Sequence, residues 1–232
     1  MRLDKFLCEM NIGSRREVKE MVRRGMITVN GLAAKTPDQK IDEKNDCVCC
    51  QGQQLCYQPF HYLILNKPKG VITATRDDRQ PTVMDCLKDV PFKKLSPVGR
   101  LDKDTHGLLF FTDDGELSHR LLAPNRHVDK TYLVTTKAPV SETDCCLLEA
   151  GVDIGEKALT LPAKVNKCSD HQIFLTIHEG KFHQVKRMLQ AVGNEVVDLK
   201  RISFGPLKLD EALRPGEYRA LTEDEIASLQ EI

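Results

Sequence analysis

The sequence predicts an α+β protein, with a small N-terminal helix–helix–hairpin domain followed by a larger domain on a mostly antiparallel sheet. Three observations lead there. Apolar residues recur twice at helical spacing within the first 25 residues, and a tight-turn dipeptide follows them. Beyond Phe60, short runs of strand length are separated by isolated helical stretches, without the regular strand–helix repeat of a parallel sheet. The 232 residues are 41% hydrophobic and 29% charged, which allows a real core and excludes a disordered chain.

Leu3, Phe6, Leu7 and Met10 fall at i, i+3, i+4 and i+7, one apolar face of a short helix. Gly13 ends it, and Ser14-Arg15-Arg16-Glu17 is a capping box that opens a second helix. Val18, Met21 and Val22 are its buried stripe, and Gly25 sits where a C-terminal cap belongs. Met26-Ile27-Thr28-Val29, Asn30-Gly31 and Leu32-Ala33-Ala34 then give a strong hairpin signal. Asp46-Cys47-Val48-Cys49 alternates like a closing strand, and polar Gln51-Gly52-Gln53-Gln54 reads as a linker. The domains are therefore expected at residues 1–58 and 59–232.

In the larger domain, strands are expected at 61–66, 71–75, 108–112, 130–136, 163–168 and 172–178, with Lys67-Pro68-Lys69-Gly70 as a turn. Helices are expected at 116–122, 142–149 and 182–192. Thr222-Glu223-Asp224-Glu225 is a second capping box and opens a final acidic helix.

Lysine plus arginine and aspartate plus glutamate both number 34, so the formal net charge is zero. The distribution is uneven. Residues 1–35 carry eight basic side chains (Arg2, Lys5, Arg15, Arg16, Lys19, Arg23, Arg24, Lys35) against Asp4, Glu9, Glu17 and Glu20. Residues 210–232 carry Arg214 and Arg219 against seven acidic side chains. A neutral total hides a basic N-terminal unit offset by an acidic C-terminal end. Arg15, Lys19 and Arg23 recur at i, i+4 and i+8, a single-sign stripe apart from the apolar one.

No apolar run approaches the about 18 residues of a membrane span. Met1-Arg2-Leu3-Asp4-Lys5 places charges where a signal peptide needs an apolar core. Nine irregularly spaced cysteines then read as reduced thiols in a cytoplasmic chain. Cys47 and Cys50, with Cys56 and His61 behind them, make half a zinc signature, and a strand explains the same residues.

The stretch Gly99-Arg100-Leu101-Asp102-Lys103-Asp104-Thr105-His106-Gly107 sets a carboxylate between cations on a loop entering a strand. Such a loop can present a nucleophile or an acid–base group. It can equally be a surface ion-pair loop, or Asp102, Asp104, Asp113 and Asp114 can be a magnesium cluster of a nuclease. Asp113-Asp114-Gly115 also reads as the turn that ends the strand, far from Asp102.

Two resemblances narrow this. Arg2-Leu3-Asp4-Lys5-Phe6-Leu7, Ser14-Arg15-Arg16-Glu17 and Gly25-Met26-Ile27-Thr28-Val29-Asn30-Gly31 together resemble the S4 RNA-binding domain. That resemblance implies phosphate contacts from Arg2, Arg15, Arg16, Lys19 and Arg23. Pro97-Val98-Gly99-Arg100-Leu101-Asp102, with Thr105, Gly107-Leu108-Leu109 and Thr112-Asp113-Asp114-Gly115, resembles the signature of pseudouridine synthases of the RsuA/RluA group. Lys130-Thr131-Tyr132, Gly180-Lys181-Phe182-His183-Gln184-Val185-Lys186-Arg187-Met188 and Lys67-Pro68-Lys69-Gly70 resemble further motifs of that group.

The resemblance implies that Asp102 is the catalytic residue, that Tyr132 lies against the target base, and that Lys186 pairs with Asp102. Many relatives carry arginine at the Lys186 position; lysine keeps the charge and loses the two-pronged geometry. Arg100 and Arg187, inside the same motifs, are expected to face RNA. The reaction breaks the N1–C1′ bond of a uridine, turns the uracil and rejoins it through C5, so no cofactor and no metal are expected. Asp102 either attacks C1′ or removes the C2′ proton, and the Tyr132 hydroxyl is a candidate base for the C5 proton. Local similarity is greatest to the members that modify small-subunit (16S) ribosomal RNA. The implied partner is that RNA, naked or in an assembling particle, with the protein a monomer. A large-subunit target and a non-catalytic S4-type assembly factor are the alternatives.

Overall fold

The structure is a computed structural model of the chain and describes all residues except Cys56, Gln58, 91–93, Pro124, Asn125 and His127. Cys56, of the half zinc signature, and His127 therefore lie outside the described residues. The chain forms two compact units, Met1–Phe60 and His61–Val90 with Lys94–Ile232. No helix among the described residues is long and apolar enough to cross a membrane.

The first unit opens with α1 (Leu3–Glu9) and α2 (Arg15–Arg23). Ser14 caps α2 reciprocally: its side chain accepts from the Glu17 N–H, and the Glu17 carboxylate accepts from the Ser14 N–H at 2.7 Å. This satisfies two of the donors that a helix start leaves open. The hairpin β1 (Ile27–Val29) to β2 (Leu32–Ala33) turns through Asn30 and Gly31, both at positive φ as a type I′ turn requires. β3 (Val48–Cys50) pairs antiparallel with the other side of β1. The polar stretch 51–54, expected as a linker, is instead a second hairpin turn. Gln51 at φ 51° and Gly52 at φ 82° connect β3 to β4 (Gln53–Leu55). Leu3, Phe6, Leu7, Val18, Val22, Ile27, Val29 and Val48 form this unit's core, so both helices pack their apolar faces on the sheet.

The second unit is built on β5 (Tyr62–Lys67), β6 (Ser96–Val98), β7 (His106–Thr112), β8 (Lys130–Thr136), β9 (Lys164–Ser169), β10 (Gln172–Ile177), β11 (Val196–Phe204), β12 (Leu207–Lys208) and β13 (Tyr218–Ala220). The strand order is β13-β5-β7-β11-β8-β10-β9, with β6 beside β7 and β12 beside β11. Every pair is antiparallel except β7 with β11. The helices are α3 (Gly115–Leu122), α4 (Glu142–Ala150), α5 (Gln184–Ala191) and α6 (Glu223–Gln230). Thr222 caps α6 through the capping box its sequence announces.

The sequence expectation does not contain β6, β11, β12 or β13, and three of its differences from the structure bear on the site. Residues 71–75 are not a strand; only Ile72 bridges to Thr82. Thr73 Oγ1 instead donates to the Leu101 carbonyl at 2.7 Å and accepts from the Leu101 N–H at 3.1 Å. Side-chain bonding diverts the segment onto the loop before β7. Helix α5 begins at Gln184, two residues late, because His183 takes the left-handed conformation at φ 50°. Finally, β11 has no counterpart in the sequence reading, yet it lies at the middle of the sheet.

Candidate active site

Asp102 lies on the loop between β6 and β7, and Lys67 fixes that loop. Lys67 is 0% exposed, and its ammonium donates to the main-chain carbonyls of Asp102 at 3.0 Å, Thr105 at 2.8 Å and Pro68 at 3.2 Å. Thr73 holds Leu101 from the other side. The backbone of the loop is thus tied down by β5 and by the 70–75 segment, while the Asp102 carboxylate is left for other partners.

Those partners come from α5 and the turn that precedes it. Lys186 Nζ lies 3.1 Å from Asp102 Oδ2 and 2.6 Å from Asp104 Oδ1. His183 Nε2 stands 3.7 Å from Asp102 Oδ1. The hydrogen bond from Lys186 holds the Asp104 carboxyl below the usual carboxylate range. Burial works against the charge on Lys186, but its bonds to Asp104 and Asp102 outweigh that and raise it above an ordinary lysine. The Asp102–Lys186 pair expected from the motifs is present, and Asp104 is a second claimant the motifs did not reveal.

A cavity of about 910 Å³ opens beside this pair, lined by Arg100, Asp102, Tyr132, Lys186, Lys130, Leu199 and Arg201 among others. That is the size of a small-molecule site rather than a packing defect. Tyr132 is 8% exposed and projects from β8 into the wall. Arg100 is exposed at the rim. Phe182, 71% exposed, stacks on His183 with ring centroids 3.8 Å apart. Arg187 spends three of its five N–H donors on the chain itself: Nη1 reaches Glu156 at 2.9 Å and the Phe182 carbonyl at 3.0 Å, and Nη2 reaches the Ile154 carbonyl.

The aspartate cluster considered for magnesium is split in two. Asp113 accepts from the His61 N–H at 2.7 Å, and Asp114 caps α3 through the Leu117 N–H at 2.9 Å. Both sit at the far end of β7 from Asp102. No group of three or more His, Cys, Asp and Glu side chains that could hold a metal ion occurs among the described residues.

In the first unit, Arg15, Arg16, Lys19 and Arg23 are all exposed on α2. Arg2 forks onto Asp4, at 3.0 Å from Nε and 2.8 Å from Nη2, and still leaves much of its side chain in solvent. Sequence reasoning missed Lys67, Thr73 and Arg201. Lys67 had a signal, since it opens a matched motif that carried no role. Arg201 had none, because charged residues surround it in a stretch without an assigned element.

Comparison with known proteins agrees with this architecture. Residues 61–191 match the RNA pseudouridylate synthase family, and residues 1–47 match the S4 domain. The uncharacterized RNA pseudouridine synthase YtzG of Bacillus subtilis is 49% identical over 237 residues, covering 100% of this chain and 99% of that protein. Ribosomal small subunit pseudouridine synthase A of Escherichia coli K12 is 44% identical over 231 residues, covering 99% and 100%. The protein of the same name in Vibrio cholerae is 42% identical over 230 residues, covering 99% of each. A crystal structure of a pseudouridylate synthase is 40% identical, with a TM-score of 0.71 and 99% of each chain covered.

Proposed function

The chain belongs to the RNA pseudouridylate synthase family, and on that premise we propose that it isomerises one uridine of small-subunit ribosomal RNA to pseudouridine, with Asp102 as the acting group. The observation that carries the proposal is the Asp102 carboxylate, anchored through its backbone by Lys67, ion-paired with Lys186 and opening on a cavity of about 910 Å³. The small-subunit target rests on full-length likeness to relatives of that name.

The target base leaves its stack and enters the cavity. Tyr132 offers its ring to the uracil, an interaction worth about 1–3 kcal/mol. Asp102 acts at C1′ or on the C2′ proton, and Lys186 fixes the direction its oxygens face. Tyr132 stands beside the base as the candidate acceptor for the C5 proton. All of these groups are supplied by the chain, and the isomerisation is redox-neutral.

Arg2, Arg15, Arg16, Lys19 and Arg23 supply phosphate contacts from the first unit, and Arg100 supplies one at the rim. Arg187, bonded to Glu156 and two carbonyls, serves to brace the start of α5. The protein acts in the cytoplasm as a monomer on ribosomal RNA, free or in an assembling particle.

The test is to map pseudouridines in ribosomal RNA from cells lacking the protein, then restore either the wild type or Asp102→Asn. One small-subunit pseudouridine should vanish, return with the wild type and stay absent with the variant, which should still be folded and bind RNA. A missing large-subunit mark would refute the target, and turnover by Asp102→Asn would refute the mechanism. Full rescue of the cells by that variant would favour a non-catalytic assembly factor.

A further inference from the structure

Arg201 is fully buried, at 1% exposure, and its charge has no evident use in the fold. It lies on β11 in register with Tyr132 on β8. Residues paired across strands project from the same face, so the guanidinium lies beside the tyrosine, and both line the cavity that holds Asp102. Nε donates to the Leu108 carbonyl at 2.7 Å, and the group sits 5.4 Å over the Phe204 ring. Nη2 is buried and finds no hydrogen-bond acceptor among the described residues.

The surroundings sharpen the anomaly. Lys67 and Lys130 share the neighbourhood; burial first, and the charge of Arg201 with it, push both ammonium groups down to about 8. Three cations thus converge near one cavity, and the one arginine among them keeps an unused donor. Such a donor is costly in a protein interior. The group that would complete it carries oxygen acceptors, takes up negative charge, and is flat enough to lie along Tyr132 and Leu199.

We propose that Arg201 is a further catalytic residue, whose Nη2 donates to a uracil carbonyl oxygen and stabilises the negative charge on the detached ring. This rests on the reading of the cavity as a uridine site. When the N1–C1′ bond breaks, its electron pair stays on N1 and spreads onto the ring carbonyls. C1′ is satisfied by an Asp102 oxygen, or by loss of the C2′ proton to that carboxylate. When C5 bonds to C1′ with that pair, the Asp102–C1′ bond breaks and its electrons return to the carboxylate, or the carboxylic acid gives its proton back to C2′. The C5 proton then leaves, N1 takes up a proton, and the ring is neutral. A donor fixed where charge develops in a dry site acts on the rate more than on binding.

The experiment uses the full-length protein and an RNA fragment carrying the uridine identified by the mapping, under single-turnover conditions. Arg201→Lys and Arg201→Gln should lower the rate about 100-fold, while RNA affinity stays within about twofold. Substrates with 2-thiouridine or 4-thiouridine at the target replace each carbonyl oxygen in turn with a weaker acceptor. One of them should slow the wild type about tenfold, and should not slow Arg201→Gln further. Wild-type rates in the folded variants, or thio and arginine effects that simply multiply, would overturn the proposal. Should both variants fail to fold, the wild type decides, because equal rates on oxygen and both sulfur substrates leave Nη2 no role. A wild type that makes no pseudouridine would instead refute the uridine reading itself.

Discussion

Lys67 illustrates how one side chain can serve the fold and the chemistry with opposite pH dependence. Burial lowers it from 10.5 to about 8, against the pull of Asp102 and Asp104 in the other direction. As an ammonium it has three donors for the three carbonyls it holds. The neutral amine has two, so the Asp102 loop loosens, and kcat should fall as pH rises through about 8. Stability runs the other way. Between about 8 and 10.5 the unfolded chain holds the lysine proton that the folded one has shed, so this site makes folding more favourable as pH rises. Urea midpoints of the wild type and Lys67→Met, compared from pH 7 to 10, should shift in favour of the wild type with increasing pH. A pH-independent difference would mean that Lys67 does not titrate in that window.

At the scale of elements, legibility followed whether the information was local. The start of α2 was readable because Ser14 and Glu17 bond each other, and the β1–β2 turn because Asn30 and Gly31 can take positive φ. The Asp102–Lys186 pair spans 84 residues, and only a motif resemblance revealed it. β11 was missed since Asp198, Lys200, Arg201 and Ser203 make it look like a surface loop. Asp198 in fact binds His106 and Lys69, and Arg201 is buried. Tertiary partners override local polarity there. The same junction makes Gly107 indispensable. A Cβ built on it would lie 2.3 Å from the Arg201 carbonyl oxygen and 2.9 Å from its nitrogen, and its φ is +99°. Neither backbone can yield without separating the parallel β7–β11 pair. Gly107→Ala should therefore cost about 2–4 kcal/mol, combining backbone strain with overpacking, and should slow catalysis by moving Arg201. Chemical denaturation measures the first effect, and a midpoint within error of wild type would contradict the close approach.

For the whole molecule, the zero net charge conceals the feature that matters for meeting RNA. Arg15, Lys19 and Arg23 stand exposed on one helix of the first unit, whereas the acidic excess lies in residues 210–232 of the second. Two of its seven carboxylates are held in an internal network: Arg219 donates to Asp210 and to both oxygens of Glu225. Acidic groups held in internal ion pairs contribute little repulsion at a distance, while the cations of α2 remain able to displace counterions from a phosphate backbone. RNA affinity should accordingly fall with salt, and each cation that meets a phosphate adds to the slope of log K against log salt. Replacing Arg15, Lys19 and Arg23 together by alanine should flatten that slope by about 2, at roughly 0.7 to 0.9 for each phosphate no longer neutralised. It should weaken binding at low salt far more than at high salt. The single-turnover rate at saturating RNA should stay at the wild-type level, because none of the three lies in the unit that holds Asp102. Titrations at several salt concentrations, paired with that rate, separate the two roles. An unchanged slope would place the RNA on another face of the protein, and a reduced rate at saturation would mean that the helix helps seat the base as well as hold the backbone.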